Sequence, residues 1–463
     1  MEKKKAMDIR SGMIVAMVIC VALGCLVLSV QAATTEVTVT KYAANNYSIE
    51  QDETTVNYTW MMENLDIYGG GETHYFFQGP IFQGEWEDVH PNDTWNDTAI
   101  CNGDTIPGTS VALTNAPACI EAERWNPAED TNCGAGAVPK DLGAVNGTDV
   151  NDLCDLVGGL AAGDSVKVQA SDNFAKEFPA EVFYDPDPAV GRGILCWYTA
   201  DCEEGFTGTG YVPDFTIGMR LAFLADNSTN PWEEHIFGLK DMVENFPSVT
   251  WHYYYSGEDG FYPSCGGFQV KWVNRVKIYP PHLHDFNETG DTTGWAFGNE
   301  TGASPGADDP NTEFDSTAYD NIADDDGTFQ SDVTTTDGNY AAHRFNFSIE
   351  TSNAKDGPIA KIQKLNVTWN GKGSHDSLTD GANLYIYNYS TPGYELLQAS
   401  GDTEDPVYLT GAITSGISNY VSASNNVTVL VKQTSAHDDE EEDPCSHIET
   451  DYVSLEVIHH YHS

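Results

Sequence analysis

Clustered carboxylates are the residues of this sequence best suited to chemistry, and that chemistry is the binding of a hard cation. Asp324, Asp325 and Asp326 are consecutive, and a second acidic run covers residues 438–443. Calcium takes about six to eight oxygen ligands, so several carboxylates must meet at one point. We predict a calcium site formed by Asp324, Asp325, Asp326 and Asp451, and a solvated loop for the second run.

Histidines could act as acids, bases or metal ligands, but their neighbours favour structural roles. We expect His74, which precedes an aromatic cluster, to pack and to hydrogen-bond. Glu233, Glu234 and His235 are consecutive, and adjacent residues of one element point in different directions. We expect the histidines of residues 459–462 to form a frayed tail. The sequence contains no Gly-x-Ser-x-Gly and no His-Glu-x-x-His, so we predict no catalytic residue.

Cysteine usage is typical of an oxidising compartment. The chain has 10 cysteines, two of them within residues 1–32, and the even number that remains predicts disulfides in an exported protein. Cys196 and Cys202 enclose a short loop and are the best local pair. Cys154 lies on an apolar helical stripe, where a free core thiol is the alternative. The absence of Cys-x-x-Cys argues against a zinc ribbon.

The N-terminus predicts export. Residues 1–32 combine a basic start, an apolar run from Met13 to Val30, and a Val-Gln-Ala sequence typical of signal peptidase sites. An uncleaved N-terminal anchor is the alternative, because the apolar run is long for a signal peptide. Repeated Asn-x-Ser/Thr sequons predict a glycosylated surface. They lie at Asn46, Asn57, Asn92, Asn96, Asn146, Asn227, Asn287, Asn299, Asn346, Asn366, Asn388 and Asn426.

The charge balance excludes several classes of partner. The formal net charge is −50, from 21 basic and 71 acidic residues. Such a surface repels nucleic acid and anionic lipid, so we expect no nucleic-acid partner and membrane contact only through the N-terminal segment. We expect cell-envelope components, glycans or divalent cations as partners. The aromatic stretch 251–255 could stack on sugar rings, although core packing is the expected use of at least half of it.

Residues 33–282 are predicted to form one α+β domain with a disulfide-rich insertion over about 94–140. Its predicted centre contains one helix, one hairpin and three further strands, since the apolar period changes from helical to alternating. These elements lie at residues 147–159, 166–178, 194–198, 220–224 and 268–279.

The central pieces GTDVNDLCDLVGG, DSVKVQASDNFAKEF, GILCWYTAD, GMRLAFLAD and VKWVNRVKIY occur in an order that resembles the oxidoreductase molybdopterin-binding domain, the fold of sulfite oxidase. That family holds molybdenum through a cysteine near arginines and histidines that bind the pterin. Cys101, Cys119 and Cys133 lie in loop-like sequence without such basic neighbours. The resemblance therefore carries over only Arg220 and Lys271 as cofactor-binding candidates, and we expect no bound pterin.

The rest of the chain is predicted to be a polar linker over 283–320 followed by a β-sandwich over 321–463. In the stretch from Lys364 to Trp369, one face is apolar and the other carries a sequon. The pieces LYIYNYS, VTVLVKQT and TDYVSLEV resemble the jelly-roll accessory modules of secreted, often archaeal, surface proteins. Such modules often join their first and last strands through calcium, which is why Asp451 is grouped with the first acidic run.

Together these patterns predict a fold that is mainly β with some α, an α+β sulfite-oxidase-like domain followed by a C-terminal β-sandwich. They predict an exported, acidic, glycosylated cell-surface or extracellular protein with a binding or structural role and no cofactor other than calcium. The alternative is an oxidoreductase that retains a molybdopterin or metal site.

Overall fold

The computed structural model describes residues 33–80, 140–200, 208–214, 218–229, 233–255, 261–287, 294–301, 305–307, 312–334, 336–349, 359–440 and 445–459. The predicted export segment, the insertion up to residue 139, Cys202, Asn92 and Asn96 lie outside these residues. Within the described part, none of the helices has the length and apolarity needed to cross a bilayer.

The first section of the described chain contains fourteen strands and four helices. The strands are β1 (Glu36–Ala43), β2 (Asn46–Asn57), β3 (Tyr68–Gly69), β4 (Tyr75–Phe77), β5 (Lys140–Asp141), β6 (Val145–Asp149), β7 (Ser165–Ala170), β8 (Ala175–Pro179), β9 (Arg192–Thr199), β10 (Arg220–Leu224), β11 (His235–Phe237), β12 (Tyr253–Tyr255), β13 (Phe261–Pro263) and β14 (Val273–Tyr279). The helices are α1 (Tyr58–Asn64), α2 (Val150–Asp155), α3 (Glu181–Tyr184) and α4 (Leu239–Asn245).

Two larger sheets enclose the core of this section, in the orders β2-β1-β14-β7-β8 and β10-β9-β6-β3. Their buried residues form one hydrophobic cluster. Phe178, Phe223 and Phe268 are fully buried, with ring centroids 5.4 to 6.4 Å apart. Burying a phenylalanine side chain contributes about 1.5–3 kcal/mol, so this aromatic group is a main source of stability. The predicted hairpin and apolar strands are confirmed as β7–β8, β9 and β10.

The predicted helix at the centre of this section is confirmed as α2. The Asp149 carboxylate accepts the Asn151 N–H at 2.9 Å and so caps one of the free amides. The predicted apolar stripe is buried throughout, and Cys154 within it is a free thiol, as the alternative held. Gly158 follows the helix with a φ of 94°, a left-handed conformation that suits glycine.

The second section is a β-sandwich of eleven strands and one helix, α5 (Ser316–Ala323), within the described residues. One sheet has the order β15-β25-β20-β23, with β18 also paired to β25, and the other has the order β17-β16-β19-β24-β21-β22. The strands are β15 (His282–His284), β16 (Gly294–Thr301), β17 (Thr312–Glu313), β18 (Gln330–Val333), β19 (Tyr340–Ser348), β20 (Ile362–His375), β21 (Ala382–Asn388), β22 (Gly393–Ala399), β23 (Val407–Ile413), β24 (Asn426–Gln433) and β25 (Ser446–His459).

The two sheets of the sandwich bury a second hydrophobic cluster between them. Leu365, Val367 and Trp369 are all 0% exposed, which confirms the face predicted for that strand. The Trp369 indole donates to the Thr450 hydroxyl at 2.9 Å, so the one polar atom of this ring is satisfied inside the core. The chain is mainly β with a few helices, as predicted.

Residues 283–320 differ from the predicted linker, because they contain β16, β17, most of β15 and the first five residues of α5. Ala296 is fully buried between the sheets, while Trp295 and Phe297 point the other way. The strands here are short or lie near a sheet edge, so few aliphatic residues suffice to hold them. Since β15 pairs with β25, the first section leads directly into the sandwich. The Tyr47 hydroxyl donates to the Pro280 carbonyl at this junction.

The N-terminus of α4 makes stability depend on pH. The Asp241 carboxylate accepts the Gly238 N–H at 2.7 Å, but burial raises the pKa of Asp241 to about 7. A carboxyl with a raised pKa binds a proton more tightly in the folded state, so stability falls as pH rises from about 4 to about 7.

We therefore expect Asp241→Asn, which keeps the hydrogen-bond acceptor, to gain stability relative to the unmodified chain as pH rises through this window. Urea unfolding midpoints of both proteins near pH 4 and near pH 8 test this. A difference that does not change with pH would contradict it.

Candidate functional site

The outer face of the six-stranded sheet carries a dense set of aromatic and polar side chains, called the aromatic face below. Strand alternation explains it: Leu384 and Ile386 are fully buried between the sheets, which turns Tyr385 and Tyr387 outward. The face consists of Trp295 and Phe297 on β16, Tyr340, Arg344 and Asn346 on β19, Thr428, Leu430 and Lys432 on β24, Tyr385 and Tyr387 on β21, and Tyr394 on β22.

A cross-strand row at the centre of this face is held rigidly. Arg344 lies opposite Phe297 on one side and Leu430 on the other. Its guanidinium carbon lies 4.5 Å from the centre of the Phe297 ring, and Nη1 donates to the Gly306 carbonyl at 2.7 Å. Arg344 is only 1% exposed, so it positions the aromatic ring beside it.

The next row combines an exposed indole with amide and hydroxyl groups. Trp295 lies opposite Asn346, which lies opposite Thr428. The Thr428 hydroxyl donates to the Asn346 Oδ1 at 2.9 Å and lies 2.8 Å from the Tyr389 hydroxyl. Trp295 is 41% exposed, so its ring is accessible from solvent while the polar groups beneath it are fixed.

Tyrosines complete the face on both sides of these rows. The Tyr387 ring centroid lies 5.0 Å from that of Tyr389 and 5.0 Å from that of Tyr394, both in edge-to-face contact. Lys432 Nζ lies 4.2 Å from the centre of the Tyr340 ring, and burial lowers the pKa of this lysine. A face that combines rings with amide, hydroxyl and ammonium groups can stack on an apolar ligand surface and hydrogen-bond to its polar edge.

The predicted calcium ligands converge only in part. Asn370 Nδ2 donates to Asp325 Oδ1 at 2.6 Å and to Asp451 Oδ2 at 3.0 Å, so these two carboxylates meet at one amide. The Tyr408 hydroxyl donates to the other oxygen of Asp325. Asp451 is 2% exposed and also accepts the Gly327 N–H at 3.0 Å. We call this group the Asp325–Asp451 site.

The other two predicted ligands are engaged elsewhere. Asp324 Oδ1 accepts from Asn287 Nδ2 at 3.1 Å, and Asp326 Oδ1 accepts the Thr328 N–H at 2.9 Å. The sequence alone does not show which of the four predicted ligands converge, because the side chains of neighbouring turn residues point in different directions and those directions cannot be read from the sequence. Two carboxylates are only a partial oxygen shell, because Asn370 presents its Nδ2 to them, so calcium stays a prediction here.

The two carboxyls of this site differ in acidity. Burial raises the pKa of Asp451, although the hydrogen bond from the Gly327 N–H opposes this. The hydrogen bond from the Tyr408 hydroxyl lowers the pKa of Asp325. The Asp451 carboxyl therefore keeps its proton to a higher pH than an ordinary aspartate does, and a cation that binds there must displace this proton.

The cofactor-binding candidates Arg220 and Lys271 lie on neighbouring backbone segments and differ in burial. The Leu221 N–H donates to the Val270 carbonyl at 2.9 Å, which places the two segments side by side. The Arg220 side chain is buried and donates to the Leu142 carbonyl at 2.8 Å, whereas Lys271 is exposed. Cofactor binding by Arg220 and Lys271 stays a prediction.

The cysteine and histidines that the sequence singled out make hydrogen bonds within the fold. The buried Cys196 Sγ donates to the Tyr198 carbonyl at 3.1 Å, and its proposed disulfide with Cys202 stays a prediction. His74 lies 2.8 Å from an Asp141 carboxylate oxygen, and His235 lies 2.7 Å from the Ala225 carbonyl. Both histidines are hydrogen-bonded, as we expected for His74.

The aromatic stretch 251–255 is used mainly for packing. The Trp251 indole donates to the Phe246 carbonyl at 2.8 Å, and burial lowers the pKa of His252 to about 4. Tyr254 is 48% exposed.

The sequons that the structure describes differ in accessibility. Asn57 is exposed and caps α1. Asn346 and Asn388 are 8% and 7% exposed, and their amides are hydrogen-bonded to Thr428 and Glu395. A glycan on Asn388 would modify the Nδ2 that donates to Glu395, whereas the Asn346 atom bonded to Thr428 is Oδ1. Glycosylation stays a prediction at every sequon.

Comparisons with known proteins identify similar structures without naming a family for the whole chain. No curated protein matches it. Residues 291–459 match a family model described as "Uncharacterized protein, C-terminal domain". The chain is similar to the CBM22-1 xylan-binding domain of Paenibacillus barcinonensis Xyn10C, at 11% identity over 39% of this chain and 94% of that domain, with a TM-score of 0.20.

Two further solved structures are similar at the same level. The xylan-binding module CBM15 is 12% identical over 39% of this chain and 99% of that module, with a TM-score of 0.22. The sulfane dehydrogenase SoxCD from Paracoccus pantotrophus is 10% identical over 82% of this chain, with a TM-score of 0.25. This chain covers 62% of that protein's length.

The Asp325–Asp451 site gives a pH-dependent prediction. We expect calcium to bind the full chain more weakly near pH 5 than near pH 7 and to release protons on binding, because the pKa of Asp451 is raised. Titration calorimetry in two buffers of different ionisation enthalpy measures both effects, and a chelator should lower the melting temperature.

Asp451→Asn should abolish this binding. Asp439→Asn is the control, since Asp439 is 68% exposed and lies in the other acidic run. Equal loss in both variants would show that calcium binds the acidic surface and not this site.

Proposed function

We propose that this chain is an exported, glycosylated surface protein that binds glycans through the aromatic face of its second section. The observation that carries the proposal is the row of Trp295, Asn346 and Thr428 beside Tyr387. A sugar ring has an apolar face of C–H groups and a polar rim of hydroxyls. The rings of Trp295 and Tyr387 suit the first, and the half-buried Lys432 ammonium on the same face suits the second. Asn346 and Thr428, 8% and 0% exposed, hold the surface beneath the rings.

The net charge limits the class of glycan. With a formal charge of −50, the protein surface disfavours polyanionic polymers at long range. The two basic residues of the aromatic face, Arg344 and Lys432, lie over aromatic rings. We therefore propose neutral oligosaccharides as ligands. The Asp325–Asp451 site lies in the other sheet, and we assign it a stabilising role with calcium.

The oxidoreductase alternative stays a separate prediction. It requires a phosphate-binding set of basic residues and a metal-binding thiolate, and the sequence offers only Arg220 and Lys271 as basic candidates. Elemental analysis of the native protein distinguishes the two functions, and we expect no stoichiometric molybdenum or tungsten. About one atom of either metal per chain would favour the enzyme.

Binding to a panel of immobilised neutral and acidic oligosaccharides tests the proposed function. We expect binding to neutral members, and Trp295→Ala should weaken it about tenfold or more, because an aromatic contact contributes about 1 kcal/mol beyond its buried area. Tyr387→Ala should act in the same direction.

Tyr254→Ala is the matched control, since this exposed tyrosine belongs to the first section and should leave binding unchanged. Binding that survives Trp295→Ala and Tyr387→Ala, or binding to acidic glycans alone, would contradict the proposal.

A further inference from the structure

Three residues with different ligand atoms meet at one end of the β20–β25 pair. The Asp376 carboxylate, the Cys445 sulfur and the His447 imidazole have ligand atoms that all lie within 4.8 Å of one another. They are the one such group of three or more that the described part of the chain contains. We propose that Asp376, Cys445 and His447 form a zinc-binding site, separate from the aromatic face and from the Asp325–Asp451 site.

Strand register places these residues together. Cys445 directly precedes β25 and His447 is its second residue, so the two side chains share a face with buried Ser446 pointing the other way. In the ladder His375 lies opposite Ser446, and Asp376 follows it opposite Cys445. The Asp376 N–H donates to the Cys445 carbonyl at 3.4 Å.

Hydrogen bonds made by adjacent residues hold both strand ends of the group in place, at His375 beside Asp376 and at Ser446 between Cys445 and His447. His375 Nδ1 accepts the Leu378 N–H at 2.9 Å, and its Nε2 lies 2.9 Å from the Ala436 carbonyl, which sets the turn that carries Asp376. The Ser446 hydroxyl accepts the Ala341 N–H at 3.1 Å, which fixes the start of β25. A metal therefore needs little rearrangement of the backbone to bind here.

The distance between the imidazole and carboxylate ligand atoms matches the coordination sphere of zinc, and the sulfur lies within 4.8 Å of both. His447 Nε2 and Asp376 Oδ2 are 3.4 Å apart, which is long for a charged hydrogen bond. Two ligands about 2.05 Å from a tetrahedral zinc ion are about 3.3 Å apart. A set of one sulfur, one nitrogen and one oxygen ligand suits zinc better than it suits calcium or magnesium.

Access from solvent also fits a bound metal. The Asp376 and His447 side chains are 46% and 30% exposed. An ion can therefore enter, and three protein ligands leave a fourth position for water. Binding requires the Cys445 thiol to lose its proton, so occupancy should rise with pH.

Cobalt(II) reports the site in the full chain, because a thiolate bound to cobalt gives a charge-transfer absorption that histidine and carboxylate ligands do not give. We expect one zinc per chain after purification without chelator, and this absorption after replacement of zinc by cobalt. Cys445→Ser should abolish the absorption. His447→Gln should weaken zinc binding more than the roughly 10–100-fold lost on removal of an outer-sphere partner.

His74→Gln is the matched control, because His74 also pairs with an exposed aspartate but belongs to no group of three metal-ligating residues within the described part of the chain. It should keep both the zinc and the absorption. Asp376→Asn, on an exposed side chain, provides a second variant if Cys445→Ser does not fold. The proposal is overturned if the absorption survives Cys445→Ser, if zinc binds only through the terminal histidines and gives no thiolate absorption, or if mass spectrometry finds Cys445 in a disulfide.

Discussion

The pairing of β20 with β25 is the contact on which the second section depends. Both strands are 14 residues long, and they pair along nearly their whole length. The pair supplies the inner face of one sheet, carries β23 and β18 on its edges and joins the first section through β15. A long, continuous ladder satisfies many backbone groups at once, so the shorter strands around it can be added at low cost.

A bulge in this ladder explains why Asp451 is buried. Asn370 pairs with Tyr452 and Gly371 pairs with Thr450, which leaves Asp451 as the extra residue of β25. A Cβ at Gly371 would lie 2.2 Å from the Glu449 carbonyl oxygen, so this position requires glycine. The inward-facing set shifts by one residue across the bulge. The same ladder ends at Asp376, Cys445 and His447, so one strand pair positions both candidate ion sites.

The sequence predicted the regular parts of the fold because their apolar periods are uninterrupted. The helix α2, the β7–β8 hairpin and the buried face of Leu365, Val367 and Trp369 follow from period alone. The prediction from sequence failed where the strands contain few apolar residues, as in β16 and β17, which were predicted to be part of a linker. Burial there comes from Ala296 and Phe314, and single residues of this kind give no periodic signal.

The candidate sites were less predictable than the fold because they combine residues from distant strands. Tyr385 and Tyr387 could have been recognised as one outward face from alternation in β21, but their neighbours Trp295 and Asn346 come from strands far away in the sequence. The Asp376, Cys445 and His447 group was missed for the same reason, and because an even cysteine count favoured disulfides. Asp325 was named as a candidate because acidic runs are visible without any knowledge of pairing, and Asp451 was named because the resemblance to jelly-roll modules implies calcium between the first and last strands.

Hydroxyl-radical footprinting of the full chain, with and without a saturating neutral oligosaccharide, locates the glycan-binding surface, because it measures the exposure of each aromatic side chain. We expect that oxidation of Trp295, Tyr385 and Tyr387 falls when the glycan binds, while Tyr254 reacts as before. Protection of Tyr254 or of the first section, with Trp295 unchanged, would contradict the assignment of the aromatic face as the glycan-binding surface.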